Sequence, residues 1–249
     1  MKHILTTLAQ KWPEYLLEIM VLIIGIYGAF ALEEWGDNHE KRSQEQIVLR
    51  QLLTDYESNL TQLDQKIAER KSIISNGLKV LDCFDKQHAN GDSLIANLAV
   101  LVVDPTFDPI ENNLINSGNI HLIQNPILNK LLTNWTSDLV ALQEIEKVYT
   151  NIAYDQYGPL LNKIGITRSV INSFWNDRNQ NWILDSNTKT QLPLGESFFD
   201  VPVETILKNS ELESLVTYAA SMNHGANVQS EGLRKRIVEI ITLIERELE

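Results

Sequence analysis

One cysteine, seven prolines and eleven glycines in 249 residues leave this chain few ways to staple or interrupt itself. Cys83 has no second thiol with which to close an internal disulfide, so no disulfide framework organises the fold. Its neighbours Leu81, Asp82 and Phe84 suit a buried small apolar position better than a reactive thiol. Basic residues are scarce as well. Twenty-one Lys and Arg stand against 33 Asp and Glu, a formal charge of −12, of which −10 lies beyond residue 35. Such a surface repels phosphate backbones, and no basic stripe with interleaved aromatics relieves it, so nucleic acid is not an expected partner. The five histidines, His3, His39, His88, His121 and His224, fall at no ligand-like spacing. His39 with Asp37 and Glu40 reads as a solvated helix face. No G-x-S-x-G elbow, P-loop, dinucleotide fingerprint or paired-cysteine zinc motif occurs. The chain is therefore read as a non-enzyme with no cofactor and no metal.

What the chain does have is an apolar run, Tyr15 to Leu32, with Glu18 its one ionisable group. About 18 mostly apolar residues suffice to cross a bilayer core as a helix. The pair Ala29 and Ala31 resembles a signal-peptide cleavage site, but the run is long for a signal and bulky Leu32 follows with Glu33 and Glu34. A buried core helix would show one apolar stripe, whereas this segment is apolar all round. The run is read as an uncleaved anchor, residues 15–35, behind a short tail, residues 1–14. Trp12 and Trp35 bracket it as interface anchors. Lys11, backed by Lys2, lies closer to the run than Lys41 and Arg42 do on the far side, which favours an N-terminus inside and the main domain outside.

Glu18 and Gly25 are seven residues apart and share a helix face, with Ala29 one turn on and Gly28 beside it. Small residues at that spacing let two helices approach closely in lipid, and a carboxyl group there suits a partner or a water path. The four form a candidate association face, toward a second copy or another membrane protein. The competing reading has Glu18 snorkelling to the headgroups, with Glu14 one turn earlier.

Beyond the anchor, apolar positions Leu49, Leu52, Tyr56, Leu60, Leu63, Ile67, Ile74, Leu78 and Leu81 predict one long amphipathic helix over residues 36–86, with Gly36 as the expected hinge. The segment from Gln87 to Asp92 is a turn, with Asp92 or Ser93 capping a short apolar helix that Asp104-Pro105 and Asp108-Pro109 end. Ser117-Gly118 closes another short helix. Asn125 caps a long helix that Pro126 opens and Gly158-Pro159 kinks or restarts. A short helix is expected from Ile166 to Trp175, a polar loop from Asn176 to Gly195 and a short strand or extended piece from Ser197 to Val203. Helices from Val203 to Asn209, Glu211 to His224 and Val228 to Leu248 finish the chain. The middle one carries a capping box of Ser210 and Glu213. The fold expected is all-α: a transmembrane helix continuing into a mostly antiparallel bundle, of which residues 87–249 form the remainder. If a pocket exists, its expected walls are the turn bearing Ser117, Gly118, His121 and Asn125, and the segment Asn176 to Gln191.

Two stretches together resemble a large family of bacterial single-pass membrane proteins. The anchor Glu18-Ile19-Met20-Val21-Leu22-Ile23-Ile24-Gly25-Ile26, with Ala29 and Trp35, is similar to that family's E-I-x-L-V-V-I-G-I-x-x-A-L-x-x-x-x-W. Leu114-Ile115-Asn116-Ser117-Gly118-Asn119-Ile120-His121-Leu122-Ile123-Gln124-Asn125, then Leu128, is similar to its L-I-x-S-G-x-x-x-L-I-x-N-x-x-L. Phe30 stands where the family often has Leu, and Gly36 where it often has Asn. The resemblance covers the front half of the chain. It implies an anchored helical domain in the bacterial inner membrane, and it brings no activity or catalytic residue with it. Three roles follow in order of preference: a scaffold or accessory subunit, a solute sensor signalling through a partner, and an enzyme with an unrecognised site.

Overall fold

A computed structural model describes residues 2–110, 119–176 and 189–249 of the chain. Helix α1, Lys2–Lys86, is one uninterrupted helix of 85 residues, about 130 Å long. It passes through Gly36 without a break, since a single glycine surrounded by helix formers costs only about 1 kcal/mol. Its N-terminal part is long and apolar enough to cross a membrane, and none of that part is buried within the molecule. The remainder builds the domain with α2 (Gly91–Val100), α3 (Pro126–Asn151), α4 (Gly158–Ile164), α5 (Thr167–Asn176), α6 (Val203–Leu207) and α7 (Ser210–Leu248). No strand occurs among the described residues.

Helix α7 runs antiparallel to α1 along most of the domain. Glu247 meets Arg42, Arg234 meets Asp64, and Asn227 donates to the Ile67 carbonyl. It is antiparallel to α3 as well, with Arg236 on Asp138 and Asn125 on Glu247. Helices α1 and α3 are consequently parallel, because the chain returns along α1 before α3 begins. Side chains of α1 hold the described part of that return. The Asn59 amide acts as a backbone surrogate, donating to the Ile110 carbonyl (3.1 Å) and accepting from its N–H (2.7 Å). Gln62 accepts from Asp108 N–H, and Glu45 accepts from Gln124 N–H. Pro105 and Pro109 keep residues 103–110 out of helix, since each lacks the amide hydrogen a helix interior needs.

Two apolar clusters make up the core. The one nearer the membrane span gathers Leu49, Leu63, Trp135, Leu142 and Ile237; the farther one gathers Val80, Leu98, Tyr157, Leu212 and Val216. Up to Ile67 the buried face of α1 follows the expected stripe. Beyond it the phase shifts by one residue: Ile73, Gly77, Val80 and Phe84 are buried, while Leu78 is 56% exposed. Gly77 sets the new phase, because a Cβ there would stand only 3.6 Å from Ala220 and 3.7 Å from Val216, and α7 packs down on that gap.

Three further expectations are corrected. The last helices are one, since Gly225 packs inside α7 near Ile145 instead of ending it, and buried Asn223 bonds back to the Ala219 carbonyl. Asn209, not Ser210 with Glu213, caps α7 by accepting from Leu212 N–H at 2.9 Å. Asn90, not Asp92 or Ser93, caps α2, which begins earlier than expected and presents Ser93 N–H to that oxygen at 3.0 Å. At Gly158-Pro159 the helix restarts as α4, after widening into a π turn, Ile152–Tyr157. The widened turn lies directly before Pro159, the residue that cannot donate to it. Gly165, at φ 91°, supplies the left-handed residue that ends α4.

Candidate functional site

In the span, Glu18, Gly25, Gly28 and Ala29 all lie on the exposed surface of α1, within an arc of about 100°. Nothing approaches within 4 Å of a Cβ placed on Gly25 or Gly28. Trp12 and Trp35 are exposed too, and 23 residues of helix set them about 35 Å apart. That separation is comparable with the thickness of a hydrocarbon layer, roughly 30 Å. Trp35 stacks on His39, ring centroids 5.8 Å apart.

The turn expected to wall a pocket serves a different purpose. Ser117 and Gly118 lie outside the described residues, and His121 is exposed in a 3-10 turn, Asn119–Leu122. Asn125 Oδ1 accepts from Ile127 and Leu128 N–H (2.9 and 3.1 Å), which caps α3. Its Nδ2 donates to Glu247 Oε1 at 2.9 Å. Around it Arg42 pairs with fully buried Glu45 at 2.6 Å, and Arg42 and Gln46 both donate to the Glu247 carbonyl. The end of α7 is thus latched to α1 about ten residues, roughly 15 Å, beyond Leu32. Replacing Asn125 with Ala removes cap and latch together and is expected to cost about 1–2 kcal/mol. A fall in melting temperature of roughly 4 °C, followed by circular dichroism, is the expected reading. Of the other expected wall, Asn176 donates to the Leu192 carbonyl at 2.9 Å, and residues 177–188 lie outside the described set.

The strongest concentration of buried charge is elsewhere, in the plane between the two apolar clusters. Arg70, 1% exposed, pairs with Glu146, 5% exposed. Arg70 also donates to Ser230 Oγ (2.8 Å) and to the Pro105 carbonyl (3.0 Å). Glu146 accepts from Phe107 N–H through both oxygens, at 3.2 Å each. One network therefore ties α1, α3, α7 and the return segment at a single level. Burial pushes the Glu146 carboxyl up to about 7, against the pull of Arg70 and the Phe107 N–H. Burial likewise lowers the Arg70 guanidinium and raises Asp104, whose carboxylate accepts from the Thr150 hydroxyl at 3.0 and 3.1 Å.

Beside this network opens a cleft of about 490 Å³. Helix α1 contributes Lys66 and Glu69, the return segment Asp104, the π turn Tyr154, and α5 the neighbouring rings of Phe174 and Trp175. A π turn shifts the helix face by one residue, which is how Tyr154 reaches the rim while Ile152, Ala153 and Tyr157 stay buried.

Neither the network nor the cleft is among the expected sites, yet the network left a trace. Arg70 sits at a core-stripe position between Ile67 and Ile73, and Glu146 sits likewise between Leu142 and Tyr149. Two opposite charges at core positions of two long helices are the signature of a buried pair. The cleft, drawn from four separated segments, has no such local sign. Among the described residues no group of three or more His, Cys, Asp or Glu is placed to hold a metal ion. No family model matches the chain, and neither a curated protein nor a solved structure matches it.

Proposed function

We propose that this chain is a membrane-anchored helical scaffold or accessory subunit, acting by protein–protein association and carrying out no reaction of its own. The observation that carries the reading is the span: an apolar helix with none of its surface covered by the domain, continuous with the longest helix of that domain. A lone anchor needs only to be apolar. This one also keeps Gly25, Gly28 and Ala29 on one side, where a second helix can approach closely. The resemblance to bacterial single-pass proteins supports the same reading. In this reading the span lies in the inner membrane, and Lys2 and Lys11 on the N-terminal side favour a cytoplasmic tail with the bundle outside. The partner is a second copy or another membrane protein.

The test is native mass spectrometry of the full-length protein released gently from its own membranes, alongside crosslinking in the membrane. A stoichiometric partner or homo-oligomer is expected. Changing Gly25 and Ala29 together to Leu is expected to reduce the crosslinked species at least tenfold, while helicity and melting of the domain stay unchanged. Full crosslinking in that variant removes the span as the contact.

A further inference from the structure

We infer that the cleft between α1, the return segment, the π turn and α5 binds a small organic cation, an ammonium group carrying a ring-sized apolar body. This goes beyond the scaffold reading and does not depend on it. The volume, about 490 Å³, falls in the range of sites that enclose small molecules. The charges around it do not cancel. Lys66 Nζ faces Glu69 Oε2 at 3.3 Å, and Arg70 is taken by Glu146. Asp104 is left over. Its described hydrogen-bond partner is the neutral Thr150 hydroxyl, and among the described residues no cation lies within ion-pair distance. A half-buried carboxylate is costly: burial raises the Asp104 pKa, and the Thr150 hydroxyl with the more distant charges of Lys66 and Arg70 offsets this only in part. An ammonium group from solution supplies the missing partner.

The remaining walls select what the ammonium group is attached to. Phe174 and Trp175 meet edge to face, centroids 5.0 Å apart, and Val102 and Val103 line the same cleft. Tyr154, 63% exposed, stands at the rim. Aromatic faces attract cations through their quadrupole and bury apolar groups equally well. An anionic ligand would meet two carboxylates, Asp104 and Glu69, against the single ammonium of Lys66. A purely apolar one would strand Asp104 further from water. A cation with an apolar body satisfies both halves of the cleft.

The experiment is isothermal titration of the full-length protein in lipid nanodiscs, with empty discs subtracted. The probes are 2-phenylethylamine and its neutral counterpart, 2-phenylethanol. The amine is expected to bind saturably and at least tenfold more tightly than the alcohol. Asp104→Asn is expected to weaken amine binding tenfold or more and to leave the alcohol unaffected. Tyr154→Ala, a change on an exposed ring that leaves folding intact, is expected to weaken the amine several-fold. The inference is overturned if the amine fails to saturate by about 10 mM, a limit near −3 kcal/mol of binding free energy. Equal binding of amine and alcohol overturns it as well, and so does undiminished amine binding in a folded Asp104→Asn protein. Because no outcome involves the span, failure here leaves the association test untouched.

Discussion

Replacing Glu146 with Leu is expected to lower the melting temperature at pH 8 by 10 °C or more, as a rough figure. Removing one member of a buried ion pair costs about 3–5 kcal/mol, because the other charge is left without compensation in a dry site. For a domain of this size each kcal/mol is worth about 2–4 °C. Arg70 keeps Ser230 Oγ and the Pro105 carbonyl, neither of them charged, and Phe107 N–H loses its acceptor. The double variant Arg70→Met with Glu146→Leu is expected to recover most of the loss, since apolar residues of similar size replace both charges at once. Thermal melts of wild type, both single variants and the double variant measure the coupling. If the single change costs as little as the double, the pair is not held together in the folded protein.

The same carboxyl makes a pH signature. Its folded value of about 7 lies above the ordinary 4.5, so the folded state holds this proton more tightly than the unfolded chain does. The stability that binding this proton contributes is fully present below about pH 4.5 and is lost as pH rises through 7, which leaves the ion-pair contribution of the charged form. Asp104, raised by burial, works in the same direction. In wild type minus Glu146→Leu difference curves, this part of stability is expected to decline between roughly pH 5 and 7 and level off above.

Placing Arg at both Leu22 and Ile23 is expected to abolish membrane retention. Each Arg near the middle of a spanning helix costs about 2.5–3.5 kcal/mol on insertion scales, and two adjacent ones cannot both snorkel to the same interface from mid-span. Both positions are exposed and touch no part of the domain, so the bundle should melt as before. Fractionation followed by an alkaline wash provides the reading. Wild type should stay with the pellet, and the variant should move to the supernatant with an unaltered circular dichroism spectrum. A variant that still sediments as an integral protein would mean that the run from Tyr15 to Leu32 is not what holds the chain in the membrane.

The elements most readable in the amino-acid sequence were those defined by local chemistry. The anchor is a matter of length and polarity, the start of α3 follows from Asn125-Pro126, and the stripe from Leu49 to Ile67 is plain helical periodicity. What escaped depends on contacts between distant segments. The phase shift at Ile73 exists because Gly77 meets Ala220, a fact no window around residue 77 contains. Gly225 reads as a stop and is instead a packing contact with Ile145. The parallel run of α1 and α3 hangs on Asn59 clamping Ile110, a polar side chain doing what a neighbouring strand would otherwise do. Arg70 and Glu146 each look like members of a solvated face when taken singly, and only their joint placement in core registers marks them as partners. Polar turns are where the sequence points to a pocket. The cleft lies instead where aromatic and charged residues from four segments converge.

The unbroken α1 makes the molecule a lever. From Leu32 at the edge of the span to Lys86 at the far end of the domain there are 54 residues of helix, about 80 Å. The latch at Arg42 and Glu247 stiffens its base. A change of roughly 10° in the tilt of the span, well within the range that spanning helices adopt as bilayer thickness varies, swings the tip through about 14 Å. For a run seated in a bilayer, a change in bilayer thickness would become a lateral displacement far from the bilayer surface.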